Sequence, residues 1–295
     1  MVNIQAPAMP TTIAQGFAKL CSNLEITDLQ AQTVSTRQQN VRDAVGADFT
    51  VLSSFLTGSY KRNTMIAPLK DADLDLFAVL DSSYYSKHKP ATLLEAVSVS
   101  LRKQYPTTPR FSKNGQAVTI TFPNFQMDVV PAFNREGGSY LIPNADTNQW
   151  ISTDPTRHES IWTEQNKWHQ GGLIPFIKTV KCWNREHSSY LRSFHLETVV
   201  LETMRNVTMS DWPSAVRCFF EKARTTAWSA INDPAGYSGD LTGYLTWADK
   251  TEVQKRAQAA YDRALQAEGY IRDGYIEHAY GRYRIIFGDY FPAYG

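Results

Sequence analysis

The chain has 295 residues, of which 42% are hydrophobic and 20% charged, and its formal net charge is +1. This is an ordinary globular composition, long enough to bury a sizeable core as one large domain or two lobes. It lacks the global basic excess that a long nucleic-acid partner favours, and no apolar run approaches the ~18–20 residues of a membrane span. Cys21, Cys182 and Cys218 lie far apart with no CxxC or Cys/His metal spacing, which fits a reducing cytoplasm. The opening MVNIQAPAMPTT lacks the charged and apolar regions of a signal peptide.

In chain order, residues 1–10 read as a flexible lead with two prolines. Thr11 or Thr12 caps a first helix with Ile13, Phe17 and Leu20 on one face. Thr27 with Gln30 is a capping box that opens a second helix to about Val45. Val51–Leu56 is an apolar segment running into a turn at Gly58-Ser59. A strand carrying Asp73 and Asp75 follows. Pro90 starts a helix with Leu93, Leu94, Val97 and Leu101 as its stripe, and Tyr105-Pro106 stops it. Ala117–Phe122 alternates Val118, Ile120 and Phe122 against Thr119 and Thr121, a half-buried strand. Pro123-Asn124 turns the chain into a second strand from Phe125 to Val130.

Residues 134–170 read as loop-rich, with a short strand near Tyr140–Pro143; Trp150, Trp162 and Trp168 there are buried or stack on a base. Leu173 to about Glu186 is a helix with Leu173, Ile177 and Val180 on one face and Lys178, Lys181 and Arg185 as a basic stripe on another. Phe194–Met204 is a buried helix. Pro213 opens another to about Ala227, Ile231–Thr242 is a loop, and helices cover Glu252–Glu268 and Ile276–Ile286.

The segment FLTGSYKRNTMIAPLKDADLDLFAVL, from Phe55 to Leu80, concentrates the chemistry. Side chains alternate along a strand, so Asp73 and Asp75 share a face, roughly 6–7 Å apart, while Leu74, Leu76 and Ala78 take the other. Two carboxylates on a rigid strand can hold one or two divalent cations. A Gly58-Ser59 turn can hold phosphate through backbone N–H groups and a hydroxyl. Together they can bind a metal–nucleoside triphosphate. Lys61 and Arg62 can neutralise phosphate; in the alternative, favoured for Arg62, Arg62 is a structural ion-pair partner and Lys61 is solvated.

Gly58-Ser59, thirteen residues, then Asp73-Leu74-Asp75-Leu76 resembles the signature of the polymerase-β-like nucleotidyltransferases. The fuller Gly58-Ser59-Tyr60-Lys61-Arg62-Asn63-Thr64 is similar to the GS-x-x-R-x-T form of the bacterial cGAS/DncV-like nucleotidyltransferases (CD-NTases). Asp128, in Asp-Val-Val-Pro-Ala, matches that family's third acid. The resemblance implies an α+β fold: a polymerase-β-like lobe (mixed sheet with helices) over residues 47–165 and a C-terminal helical lobe over 166–295. N-terminal helices over 1–46, with a long spine helix, would join them. It also implies two Mg²⁺ ions, with Mn²⁺ as a substitute, on Asp73, Asp75 and Asp128 as the catalytic and metal residues. Gly58, Ser59, Lys181 (in Val-Lys-Cys-Trp-Asn) and Ser193 (in Leu-Arg-Ser-Phe-His-Leu-Glu) would hold the triphosphate.

The function the family implies is synthesis, in the cytoplasm, of a cyclic di- or trinucleotide from ATP and a second nucleoside triphosphate. That product would activate a downstream effector in anti-phage defence (CBASS). No long nucleic acid and no membrane would be needed. The residues themselves stop at nucleotidyl transfer. Linear oligonucleotide synthesis, transfer to another acceptor, a catalytically dead nucleotide sensor and a purely structural α+β domain are the alternatives.

Overall fold

The computed structural model describes residues 9–107, 110–111, 115–225 and 229–295. All but the last two residues of the expected N-terminal lead lie outside the described residues, as does Ala227, the expected end of the helix opened by Pro213. The chain divides into two compact units: Ile26–Thr163 with Pro234–Ser238, and Met1–Glu25, Glu164–Asp233 and Gly239–Gly295. The helix pair read from residues 1–46 is thus split between them, at Glu25.

The first unit is built on a mixed sheet. Its elements are α2 (Asp28–Gly46; α1 belongs to the other unit), β1 (Val51–Thr57), α3 (Gly58–Lys61), β2 (Asp73–Leu80), α4 (Ser83–Lys87), α5 (Pro90–Gln104), β3 (Arg110–Phe111), β4 (Val118–Thr121), β5 (Gln126–Asn134), β6 (Tyr140–Asn144) and β7 (Gln149–Thr153). The strand order is β1-β2-β5-β4-β3, with β6 pairing β5 and β7. β2 and β5 are parallel, and the other pairs are antiparallel. Thr27 and Gln30 close the expected capping box of α2.

The two faces of β2 pack differently. Leu74, Leu76, Ala78 and Leu80 join Val41 and Val45 of α2 and Leu93, Leu94 and Val97 of α5 in the main core. Phe77 joins Val130, Ala132 and Ile142 in a smaller cluster on the opposite face. Each fully buried side chain of this size contributes roughly 1.5–3 kcal/mol. Asp73 and Asp75 therefore occupy the start of β2 on the face that Phe77 seals further along. Pro131 sits inside β5, opposite Ala78, where a proline is normally unwelcome. It is accommodated because β4 has already ended, its last partner in β5 being Val129.

The second unit is helical: α1 (Ile13–Leu24), α7 (Leu173–Glu186), α8 (Ser193–Met204), α9 (Trp212–Ala223), α10 (Trp247–Arg272) and α11 (Ile276–Phe287). Phe17 of α1 is fully buried and stacks on Trp212 at 5.2 Å, with Tyr283, Phe287 and Phe291 edge-on around it. Gly16 is where these aromatics come closest, since a Cβ there would meet Phe291 and the Tyr280 hydroxyl at 2.8 Å.

The short strand expected near Tyr140–Pro143 is β6, while the loop-rich reading of the rest of 134–170 is corrected by β7 and α6 (Pro155–Trp168), whose range spans the division between the units. The reason it escaped is burial: in α6 only His158 and Trp162 are buried, so no apolar period marks it. The expected helix over Glu252–Glu268 extends in both directions, because Thr246 and Asp249 cap its start and its buried stripe is mostly alanine. Among the described residues no helix is long and apolar enough to cross a membrane.

Candidate active site

The Gly58-Ser59 turn is held by its own backbone. Gly58 takes a φ of +66°, a conformation that favours glycine, directly after the last residue of β1. Arg62 N–H donates to Gly58 O at 3.1 Å, and the Ser59 carbonyl accepts from the amides of Thr64 at 2.9 Å and Met65 at 3.1 Å. Thr64 is fully buried and adds its hydroxyl to the same carbonyl. The turn is fixed while Ser59 stays partly open to solvent.

The sheet register brings the acids to this turn. Thr57 pairs Asp75 across β1–β2, and Asp75 pairs Asp128 across β2–β5. Neighbouring strands in register present paired side chains on one face, so Asp75 and Asp128 project together from the end of the sheet beside Gly58. The approach is close: a Cβ on Gly58 would lie 2.0 Å from Asp75 Oδ2. Asp73 stands two residues earlier, opposite Gln126, and is exposed.

Asp128 is half-buried, and Thr119, its partner on β4, donates a short 2.5 Å hydrogen bond to Asp128 Oδ1. Burial pushes the Asp128 carboxyl above its ordinary range, and the charge of Asp73 pushes the same way; the Thr119 hydroxyl and Arg110 pull against them. The alternation along β4 sets Thr119 on the face opposite Val118 and Ile120. It is 5% exposed, because the β4 face it occupies is covered by the acid it serves.

Among the described residues no three His, Cys, Asp or Glu side chains close to metal-binding distance. The donor chemistry nevertheless fits a hard divalent cation: three carboxylates at one end of two adjacent strands, with no thiol or imidazole among them. Glycine at 58 gives the Asp75 carboxylate room that any side chain there would take.

Lys61 and Arg62, which follow the turn, are engaged with α6. Lys61 pairs with Glu159 at 3.3 Å, and the Arg62 guanidinium lies 5.2 Å from the Trp162 ring centroid. Arg62 thus has a structural contact, made to a ring, while Lys61, expected in the same reading to be solvated, holds an ion pair; Trp162 is a core residue rather than a stacking platform. Trp168 is half exposed.

Lys181 and Ser193 come together in the helical unit. The Lys181 ammonium reaches Glu197 Oε1 at 3.1 Å, and the Ser193 hydroxyl donates to the same oxygen at 3.3 Å. Glu197 was not singled out from the sequence. Its one signal is the i, i+4 spacing from Ser193 on a helix otherwise apolar on most sides. The basic stripe of α7 is not a solvated face: Lys178 is 3% exposed and gives Glu25 a bidentate contact at 2.7 and 2.8 Å.

Comparison with known proteins meets this geometry. Residues 11–166 match the Second Messenger Oligonucleotide or Dinucleotide Synthetase domain, SMODS, a span that contains Gly58, Ser59, Asp73, Asp75 and Asp128. The chain is 26% identical over 270 residues to a probable cyclic nucleotide synthase of Bacillus cereus, covering 80% of this chain and 81% of that one. It is 31% identical over 206 residues to a cyclic AMP-AMP-AMP synthase of Acinetobacter sp., covering 65% of this chain and 59% of the relative. In fold it matches E. coli MS115-1 CdnC with ATP at a TM-score of 0.74 and 16% identity, over 95% of this chain and 99% of that one. Vibrio cholerae DncV, a cyclic AMP-GMP synthase, matches at 0.75 and 12% identity, over 96% and 98% of the two chains.

Proposed function

We propose a reaction for this chain, which belongs to the family of Second Messenger Oligonucleotide or Dinucleotide Synthetase domains, the bacterial CD-NTases: it joins ribonucleoside triphosphates into a cyclic di- or trinucleotide and releases pyrophosphate. The observation that carries this reading is the register Thr57–Asp75–Asp128, which sets two acids of adjacent strands beside the Gly58-Ser59 turn. The sequence relatives, named as cyclic nucleotide synthases, support the cyclic product.

In each transfer a ribose hydroxyl oxygen of one nucleotide forms a bond to the α-phosphorus of another. The bond from that phosphorus to the bridging oxygen breaks, pyrophosphate leaves with the electron pair, and the hydroxyl proton passes to water. Gly58 and Ser59 contribute backbone N–H groups and a hydroxyl to phosphate oxygens. Lys181 and Ser193 contribute an ammonium and a hydroxyl to the triphosphate. Asp73, Asp75 and Asp128 would hold two Mg²⁺ ions, with Mn²⁺ as a substitute, which supply charge neutralisation and a lowered pKa for the attacking hydroxyl. No protein nucleophile is required, and rate enhancement comes from positioning and charge stabilisation. ATP and a second nucleoside triphosphate are the substrates, and the product is a diffusible signal for a separate effector in anti-phage defence (CBASS) inside the cytoplasm.

The test is incubation with all four labelled nucleoside triphosphates and Mg²⁺ or Mn²⁺, then phosphatase, chromatography and mass spectrometry. A phosphatase-resistant product absent from Asp73→Asn/Asp75→Asn is expected, and its mass names the bases. A phosphatase-sensitive ladder replaces the cyclic reading with linear oligomer synthesis. Binding without any product leaves a missing activator or acceptor, or a nucleotide sensor that does not turn its ligand over.

A further inference from the structure

The acid behind Lys181 carries an inference of its own. Glu197 is fully buried on α8, among Leu196, Thr198, Val199 and Val200, none of which is more than 1% exposed. An ionised carboxylate in such a place is costly unless positive charge and hydrogen bonds compensate it. Both come from the residues assigned to the triphosphate: Lys181 of α7 at 3.1 Å and Ser193, one helical turn earlier, at 3.3 Å, meeting the same Oε1.

The exposures are graded. Glu197 is at 0% and the Lys181 side chain at 11%, while Ser193 is exposed. The acid is the floor of the cluster, and the cation and hydroxyl are its outer surface. Lys178, three residues before Lys181 on α7, is arranged the other way round, with a buried ammonium and a half-exposed acid. Lys178 is 3% exposed and its ammonium is chelated by both oxygens of Glu25.

We infer that Glu197 is a positioning residue: it keeps Lys181 charged and aimed outward, and holds Ser193 beside it, as a preformed receptor for a nucleotide's triphosphate. This rests on the proposed assignment of Lys181 and Ser193 to the triphosphate. An ammonium has three N–H donors, so a lysine that holds a carboxylate can bind phosphate oxygens as well. Ser193 has one O–H, which turns from Glu197 to a phosphate oxygen when the ligand arrives. Without the carboxylate, a lysine this deeply set loses a counterion and is displaced or discharged. Removing Glu197 therefore weakens triphosphate binding, even though a negative charge has been taken from the neighbourhood of a polyanion.

Calorimetric titration of the full chain with inorganic tripolyphosphate and Mg²⁺ tests this without knowledge of the base. Glu197→Gln, which keeps the shape and removes the charge, is expected to weaken tripolyphosphate roughly 10-fold or more, the size of a lost charge-assisted contact. Glu197→Asp recovers part of it. In a Lys181→Met background Glu197→Gln has no further effect, a non-additivity that a merely structural role does not produce. Unchanged or tighter binding in Glu197→Gln overturns the inference if Lys181→Met by itself weakens binding. If Lys181→Met has no effect, the triphosphate assignment fails instead. Should Glu197→Gln lose its cooperative thermal transition, Lys181→Met/Glu197→Gln, which removes both charges, carries the test. It is expected to match Lys181→Met, and a further 10-fold loss overturns the inference.

Discussion

Gly58 and Asp75 lie closer together than any side chain at position 58 would allow: a Cβ on Gly58 would lie 2.0 Å from Asp75 Oδ2. The same residue has a φ of +66°, so a side chain there meets both a strained backbone and a carboxylate. Gly58→Ala is expected to cost about 1–2 kcal/mol through the backbone alone. Activity suffers more, because the methyl group drives Asp75 from its place; a displacement near 1 Å can cost about 100-fold. Thermal unfolding and nucleotidyl transfer, measured on the same preparation, separate the two effects. Full activity in a folded Gly58→Ala protein would remove the turn from the site.

Thr119 and Asp128 make a pH prediction. The carboxyl of Asp128 sits above its ordinary range through burial, and the Thr119 hydrogen bond holds it down. Thr119→Val releases that restraint, so Asp128 protonates at a higher pH. If activity requires the ionised acid, the acid limb of the rate profile moves to higher pH in the variant. A profile that does not move separates Asp128 ionisation from turnover.

The same carboxyl has a stability consequence of defined sign. Its folded pKa is raised, so the folded state binds the proton more tightly than the unfolded state does. Its contribution is most favourable below the unfolded value and is lost as pH rises through the folded value. At pH 7 the ionised, half-buried acid is a burden. Asp128→Asn is expected to raise the melting temperature there, by roughly 2–4 °C per kcal/mol recovered, while abolishing transfer. The gain should shrink in acid, and a lower melting temperature at pH 7 refutes this account.

His195 predicts the opposite dependence. It is 2% exposed, Nδ1 meets the Tyr244 hydroxyl at 2.9 Å, and Nε2 has no partner among the described residues. Burial pushes its pKa from 6.5 down to about 4. Above pH 6.5 it is neutral in both states and nothing is lost. Between 6.5 and about 4 the unfolded chain takes a proton that the folded chain refuses, so stability falls, and below that the loss levels off. His195→Gln should flatten this decline in chemical denaturation at pH 7 and pH 5. An unchanged difference between the two pH values assigns the acid sensitivity elsewhere.

Glu25 and Lys178 separate a structural lysine from a ligand-binding one. Glu25→Gln removes the bidentate counterion of a lysine that is 3% exposed. Breaking a buried pair costs about 3–5 kcal/mol; with Glu25 half exposed, about 2 kcal/mol is expected. Tripolyphosphate affinity should stay the same, in contrast to Lys181→Met. A parallel loss of affinity would place Lys178 in the phosphate cluster as well.

Local chemistry made much of this protein legible from its sequence. Thr27 with Gln30, Pro90, and the apolar stripe Leu173–Ile177–Val180 announced three helices because capping and 3.6-residue periodicity act within a few residues. Alternation placed Asp73 and Asp75 on one face for the same reason, and the Gly-Ser turn stood out because few residues can replace it. What the sequence could not determine was whatever depends on partners distant along the chain. The parallel register Asp75–Asp128 joins residues on strands separated by α4, α5, β3 and β4. Thr119 meets Asp128 only because β5 pairs with β4. Lys178 and Lys181 share one basic stripe in the sequence, but Lys178 pairs with a half-exposed Glu25 and Lys181 with a fully buried Glu197. Helix and turn signals are carried by neighbours in sequence, whereas register, burial and the pairing of charges exist only once the chain has packed.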